Sequence, residues 1–363
     1  MVNITEFIRE LVECESPSDS PADLKRFMEL FADSVAGDAT GKRVGTHMMF
    51  SFVLPGRKDG QVMALGHADT VWPKGTLSTM PFREADGRLW GPGVLDMKAG
   101  LACFVFAMRR LREREVKVPH KVVLQINSDE ETGSRTSREL TERTARLSKA
   151  VLVLEPGTGL TGKLKTSRKG IGDYRLKVRG VASHAGVDFE NGASAVVELA
   201  RQIERIATFT DLKRGVTVNP GTIAGGTRSN VIAESAEAHI DVRTPKLRDA
   251  AMLERKFRAL RCFDPRCQLD LTGGLNRPPM ERSKGVADLF RLARKEAAAI
   301  GLELEESATG GGSDGNFTAA IGIPTLDGLG AVGEGAHAAH ESVLLNRLED
   351  RTELLARLVA AIR

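Results

Sequence analysis

The sequence predicts an α/β protein: a larger domain with a central, mostly parallel sheet flanked by helices, interrupted by a smaller α+β insertion. Three observations lead there. Apolar runs of strand length alternate with amphipathic helical segments up to about residue 167. From there to about residue 280 the order becomes strand–helix–strand–strand–helix–strand, the ferredoxin-like pattern. The first texture then resumes. The expected boundaries are 1–167 and 281–363 for the catalytic domain and 168–280 for the insertion. A chain of 363 residues, 41% of them apolar, can bury a core in each.

The elements follow in order. Asn3 with Glu6 has the form of a capping box, and Ile4, Phe7, Ile8 and Leu11 share the face of a first helix. Ser20 and Pro21 open a second helix, carried by Leu24, Phe27, Met28, Phe31 and Val35 and stopped at Gly37. Strands are expected near Met48–Leu54 and over Gln61–Leu65, then a helix over Lys98–Arg114. A strand Lys121–Ile126, a helix Thr136–Leu147 and a strand Ala150–Leu154 complete the first half. In the insertion, Ile171–Val178 alternates like a half-buried strand, followed by a helix over Ala193–Ala207. Strands Gly215–Thr222 and Ala236–Val242, a helix Ala250–Leu260 and a strand Cys267–Leu271 close it. The last part reads as a helix Gly285–Ile300, a glycine loop at Gly310–Gly312, a strand Pro324–Leu329 and a helix Arg347–Ile362.

Composition excludes several classes of function. The 52 basic and 48 acidic residues leave a net charge of +4, and aromatics are 5% with one Tyr, so no nucleic-acid partner is expected. The longest apolar stretch, near Ala99–Met108, is about half the ~20 residues of a membrane span. MVNITEFIRE has neither the basic nor the apolar region of a secretory signal. Four cysteines are too few for a disulfide scaffold, so reduced thiols and a cytoplasmic location are expected. Cys262 and Cys267 lack the second pair or the His of a structural zinc site.

Three apolar strands end in metal-capable residues: Gly66-His67-Ala68-Asp69, Asn127-Ser128-Asp129-Glu130-Glu131, and Glu155-Pro156. Ligand sites in open α/β sheets gather at the carboxyl ends of strands, so these segments are placed to converge. Asp96 in GPGVLDMKAG and His337 in GEGAHAAHE join them from loops; the preceding GEGA and the spacing to Glu341 favour His337 over His340. Two histidines and three carboxylates suit a borderline metal such as zinc, and five ligands suit two ions sharing one carboxylate. A paired-ion site activates a water and polarises a carbonyl. Glu130, beside a ligand but facing elsewhere, is placed as general base, and Asp69 as the group that orients His67.

HADT, GPGVLDMKAG, NSDEETGS, LEP, SHAG, GGGSDGNF and GEGAHAAHE, in this order, resemble a family of zinc-dependent aminoacylases and carboxypeptidases. It is the acetylornithine deacetylase/succinyl-diaminopimelate desuccinylase superfamily, and the glutamate carboxypeptidases of the carboxypeptidase G type fit best. The resemblance implies a zinc held by His67, Asp96 and Glu155 and a second held by Asp96, Glu131 and His337, cobalt or manganese being tolerated. It implies that Glu130 is base and proton shuttle, that Asp69 partners His67, and that the Asp96–Met97 peptide is cis. In the insertion it implies that His184 stabilises an oxyanion and that Asn230 and Arg243 bind a substrate carboxylate. Gly311 in the glycine loop and, more loosely, Lys163 are implied near the substrate. The insertion is then a lid through which two copies form a homodimer, and the reaction releases a C-terminal amino acid, glutamate or a related residue, from a peptide or N-acyl amino acid. An N-acyl-amino-acid deacylase or a dipeptidase is the alternative. Phe189, Ser194 and Ala233 depart from the usual residues and bear on lid geometry and specificity.

Simpler readings stand beside these. Glu130-Glu131 alone would be an acidic helix start, and Arg243 alone a salt bridge at a strand end. Gly157–Gly162 fits G-x-G-x-x-G, which would make a nucleotide-binding module, but strand-like alternation follows it and Leu164 stands where a phosphate loop needs Ser or Thr. His47, His120 and His239 have no supporting context.

Overall fold

A computed structural model describes residues 3–363. The described residues divide into two compact units, one formed by residues 3–167, 282–309 and 313–363, the other by 168–281 with 310–312.

The first unit is built on a six-stranded sheet in the order Ala39–Val44, His47–Phe52, Lys121–Asn127, Gln61–His67, Ala150–Val153, Thr325–Leu326. It is mixed rather than mostly parallel. The first two pairings are antiparallel and the last three parallel. The sequence pattern missed Ala39–Val44 because ATGKRV buries only its first residue and so shows no alternation. Along Gln61–His67 the side chains divide by parity. Val62 and Ala64 join the core under helices Ile4–Glu13, Pro21–Ser34, Ala99–Glu113 and Leu348–Ala361, while Met63 and Leu65 pack on the opposite face with Ala145, Val151 and Val153. Both faces are therefore covered, as the near-continuous apolar run VMAL requires.

Local chemistry sets the helix starts. The Asn3 side chain accepts from Glu6 N at 2.9 Å. Ser20 precedes Pro21–Ser34, but its hydroxyl bonds the Asp23 carboxylate at 2.7 Å rather than a backbone amide. A second, small antiparallel sheet joins Gly333–Glu334, Ser342–Leu344, Arg88–Trp90 and Arg83–Ala85. Strands of two or three residues carry no period to read.

The second unit is a four-stranded antiparallel sheet, ordered Thr217–Gly225, Ser235–Thr244, Gly170–Arg179, Gln268–Arg277, with helices Ala195–Ala207 and Leu247–Arg258. Tyr174, Leu176 and Val178 face its core, and Tyr174 stacks on Phe257 with ring centroids 4.1 Å apart. Ser194 caps the first helix, its Oγ accepting from Val197 N at 3.3 Å.

Candidate active site

Strand register creates the site. Gln61–His67 pairs in parallel with Lys121–Asn127, His67 opposite Asn127, and with Ala150–Val153, Leu65 opposite Val153. Three carboxyl ends thus lie side by side, and at or just past them stand His67–Asp69, Asp129–Glu131 and Glu155. Close backbone packing supports them. A Cβ on Gly100 would lie 2.2 Å from Leu154 O, and one on Gly330 would lie 2.0 Å from the same atom.

Asp96 sits in a wide turn, Val94–Lys98, that opens after Gly93 at φ 71° and contains a cis Asp96–Met97 peptide. The buried Glu341 carboxylate holds this turn. Its Oε1 accepts from Leu95 N (2.8 Å) and Asp96 N (3.1 Å), and its Oε2 from Gly93 N (2.9 Å) and Trp72 Nε1 (2.8 Å). Burial pushes the Glu341 carboxyl above its ordinary range. Sequence reasoning used Glu341 only as a spacing mark. The one signal for it was a lone acid at the start of the Ser342–Leu344 strand.

The metal-capable atoms converge. His67 Nε2 lies 3.2 Å from Asp96 Oδ1 and 3.6 Å from Glu155 Oε1. His337 Nε2 lies 3.4 Å from Asp96 Oδ2 and 3.2 Å from Glu131 Oε1. Ligand atoms of His67, Glu130 and Glu155 fall within 4.8 Å of one another, as do those of His67, Asp96 and Glu131. Two donors at ~2.0–2.1 Å from a tetrahedral zinc are ~3.3–3.4 Å apart, which is the spacing these atoms keep. The donor set therefore fits a divalent metal. His67 Nδ1 donates to the Asp69 main-chain oxygen at 2.9 Å, which aims Nε2 at Asp96 and Glu155.

The Asp69 carboxylate has other partners. Oδ1 accepts from Glu130 N (3.1 Å), while Oδ2 accepts from Glu131 N (3.0 Å) and Ser18 Oγ (3.1 Å). It stands 3.5 Å from His67 Nδ1, so the shorter contact to the imidazole is through the Asp69 backbone.

Burial opposes ionisation of Asp96, but hydrogen bonds from His337 and His67 outweigh it and hold its carboxyl far below the usual range. Asp96 and then Glu131 raise His337 to about 10. Burial disfavours the charged His67, yet Asp69, Asp96 and Glu155 keep it well above the ordinary histidine value. The carboxylates favour the protonated form of both imidazoles, and a bound divalent cation would compete with those protons.

The remaining residues are placed as follows. Lys163 Nζ pairs with Glu305 at 2.7 Å. In the second unit, His184 is exposed; its backbone bridges to Val231, and Ala185 N donates to Asn230 O at 3.0 Å, which sets the His184 and Asn230 segments side by side. Arg243 makes a forked ion pair with Asp241, Nε to Oδ1 at 2.9 Å, and its third nitrogen lies 3.4 Å from Gly310 O. Gly311 O accepts from Arg168 at 3.2 Å. Gly157–Gly162 closes as a hairpin, Thr158 N to Lys163 O at 2.9 Å, and leads into the strand Leu164–Arg168. The fully buried Arg351 donates to Gly162 O at 3.0 Å. The amides of Gly157, Thr158, Gly162 and Lys163 are engaged, and the strand stands where a nucleotide site needs a helix N-terminus.

The chain is similar to known proteins over most of its length. The chain is 32% identical over 312 residues to carboxypeptidase G2 of Pseudomonas sp. (strain RS-16), spanning 84% of this chain and 75% of that protein. It is 30% identical over 318 residues to succinyl-diaminopimelate desuccinylase of Acidovorax ebreus (strain TPSY), spanning 82% and 79%. The fold matches the crystal structure of aminopeptidase PepT from Bacillus cereus with a TM-score of 0.82 at 21% identity, covering 99% of this chain and 98% of that one. Residues 63–361 match the model of peptidase family M20/M25/M40, and the chain belongs to that family of metal-dependent metallopeptidases and amidohydrolases.

Proposed function

We propose that this protein is a dinuclear zinc carboxypeptidase that hydrolyses an amide bond and releases a C-terminal amino acid, glutamate or a related residue, from a peptide or N-acyl amino acid. The observation that carries this reading is the disposition of Asp96. Its Oδ1 faces His67, with Glu155 beside it, and its Oδ2 faces His337, with Glu131 beside it. One carboxylate presented to two ligand groups is what a shared pair of ions requires. His67, Asp96 and Glu155 would hold one ion, and Asp96, Glu131 and His337 the other, with cobalt or manganese as substitutes. When bound, the ions supply an acidified water and a polarised carbonyl.

The chain's residues do the rest. Glu130 takes the proton of the attacking water and delivers it to the leaving amine. Asp69 orients the turn that carries Glu130 through two amides. His184 donates to the oxyanion. Arg243 and Asn230 grip the free carboxylate beside the Gly310–Gly312 loop; Asp241 holds one edge of the Arg243 fork in place. Lys163 reaches an acidic side chain only by exchanging its partner Glu305.

The second unit serves as lid and homodimer surface. Thr217–Gly225 is an edge strand, and Ile223 on it and Val197 on the first helix are 59% and 52% exposed, apolar positions suited to a second copy. No described helix is long and apolar enough to cross a membrane, and the four free cysteines fit a reducing cytoplasm.

The similarity to a desuccinylase favours one second reading, an N-acyl-amino-acid deacylase with the same chemistry. Elemental analysis, with hydrolysis of N-acyl amino acids and dipeptides before and after chelation, tests both. Near two ions per chain and chelator-sensitive release of C-terminal glutamate support the carboxypeptidase. Preference for a succinyl amide of a diamino acid supports the deacylase. In Glu130→Gln a loss of ~10²–10⁴-fold is expected, and retained activity refutes the proton role.

A further inference from the structure

The turn Asp129–Ser134 carries Glu130 and Glu131, and its two ends decide where those carboxylates sit. One end grows out of the strand Lys121–Asn127. The other closes on it through Ser134 N, which donates to Asp129 O at 2.7 Å. Ser134 adopts φ 57°, the left-handed region that serine rarely enters, so the closure has to be held from outside. A residue 180 positions away does this. Asp314 Oδ1 accepts a short hydrogen bond from Ser134 Oγ, and its Oδ2 accepts from Asn127 Nδ2 at 2.6 Å. Asp314 thereby spans from the last residue of the strand to the last residue of the turn. All three are buried. Asn127 is itself fixed, its Nδ2 donating to Thr141 Oγ1 at 3.1 Å and its Oδ1 accepting from Gln125 Nε2 at 2.9 Å. Asp69 grips the same turn by the amides of Glu130 and Glu131.

We propose that Asp314 is a positioning residue for catalysis: by tying Ser134 to Asn127 it sets the turn that aims Glu130 and Glu131. The proposal rests on the reading of Glu130 as proton carrier and Glu131 as metal ligand. Two charge-assisted bonds in a buried setting are stiff, and a drift of ~1 Å in a catalytic group costs on the order of 10²-fold in rate.

The test compares isosteric variants of the metal-loaded enzyme. Asp314→Asn keeps the volume but turns an amide N–H₂ toward either the Ser134 hydroxyl or the Asn127 amide. A fall in kcat of ~10–100-fold with KM within about twofold is expected, together with weaker retention of one metal equivalent. Asp327→Asn is the control. Asp327 is also fully buried and accepts at 2.6 Å from the hydroxyl of Ser313, the residue before Asp314, rather than from Ser134. It should lower Tm and leave kcat within about twofold. Equal loss of kcat in both variants, or full kcat in Asp314→Asn, overturns the proposal. Should Asp314→Asn fail to fold, Ser134→Ala removes one bond alone. A fall in its kcat at unchanged KM is expected, and unchanged kcat overturns the proposal. Glu130→Gln is assayed alongside. Loss there with full activity in Asp314→Asn refutes the positioning role alone, whereas full activity in Glu130→Gln refutes the role of Glu130 and this proposal with it.

Discussion

Glu341→Gln is the substitution with the most informative expected outcome. The carboxylate accepts four hydrogen bonds, two at each oxygen, and all from the turn that presents Asp96 or from Trp72. A glutamine fits the same space. Whichever way its amide turns, the N–H₂ group meets two donors, either Leu95 N with Asp96 N or Gly93 N with Trp72 Nε1. Two buried N–H groups are then unsatisfied at ~1–3 kcal/mol each, and partial relaxation leaves a loss of ~3 kcal/mol. In a unit of roughly 250 residues that is a fall in Tm of ~6–12 °C. Because Asp96 N is one of the four donors, the candidate bridging carboxylate shifts too, and activity should fall by ~10–100-fold. Calorimetry of the chelated and metal-loaded protein, with kcat and metal content on the same samples, reads all three effects. A variant with Tm within about 2 °C of the parent, full activity and full metal content would refute the reasoning.

Other expectations follow from single contacts. Gly330→Ala sets a methyl group 2.0 Å from Leu154 O and 3.0 Å from Glu155 O, so it should cost ~1–3 kcal/mol or more in urea unfolding and weaken the proposed metal binding at Glu155; a parental midpoint would contradict this. His337→Ala should lose one metal equivalent while His340→Ala keeps both, since only His337 is within 3.4 Å of Asp96 and Glu131; the opposite result in elemental analysis would reassign the ligand. Glu353 accepts from Arg110, Arg114 and Arg357. Burial works against its ionisation, but the Arg110 hydrogen bond and the neighbouring Arg114 charge hold its carboxyl below the usual 4.5. Such a carboxylate contributes stability above pH 4.5 and loses it as pH falls through the lowered value. Glu353→Gln should therefore be ~1 kcal/mol less stable at pH 7, with the gap closing in acid; a gap that is constant with pH would exclude this ion pair as its source.

Much of this protein was legible in the chain itself. Strand and helix periods are local, so Gln61–His67, Lys121–Asn127 and Ala99–Glu113 could be read within a residue or two of their ends. The residues that follow strand ends were legible for the same reason: His67, Glu130, Glu131 and Glu155 are placed by the carboxyl ends of apolar runs. What escaped was decided between distant segments. The edge strand Ala39–Val44 has no alternation of its own and exists because His47–Phe52 pairs with it. Arg243 reads from the sequence as a substrate clamp with a strand-end ion pair as the simpler alternative, and only the fold shows that Asp241, two residues away on the same strand face, holds one edge of its fork. Gly157–Gly162 resembles a phosphate loop until its amides close a hairpin that leads into a strand. Spacing along the chain encodes period, capping and turn chemistry, and that much the amino-acid sequence determined by itself. The partners of Glu341 and Asp314 lie about 180 to 270 residues away, and only the packing of the folded chain chose which amides and hydroxyls those buried carboxylates would hold.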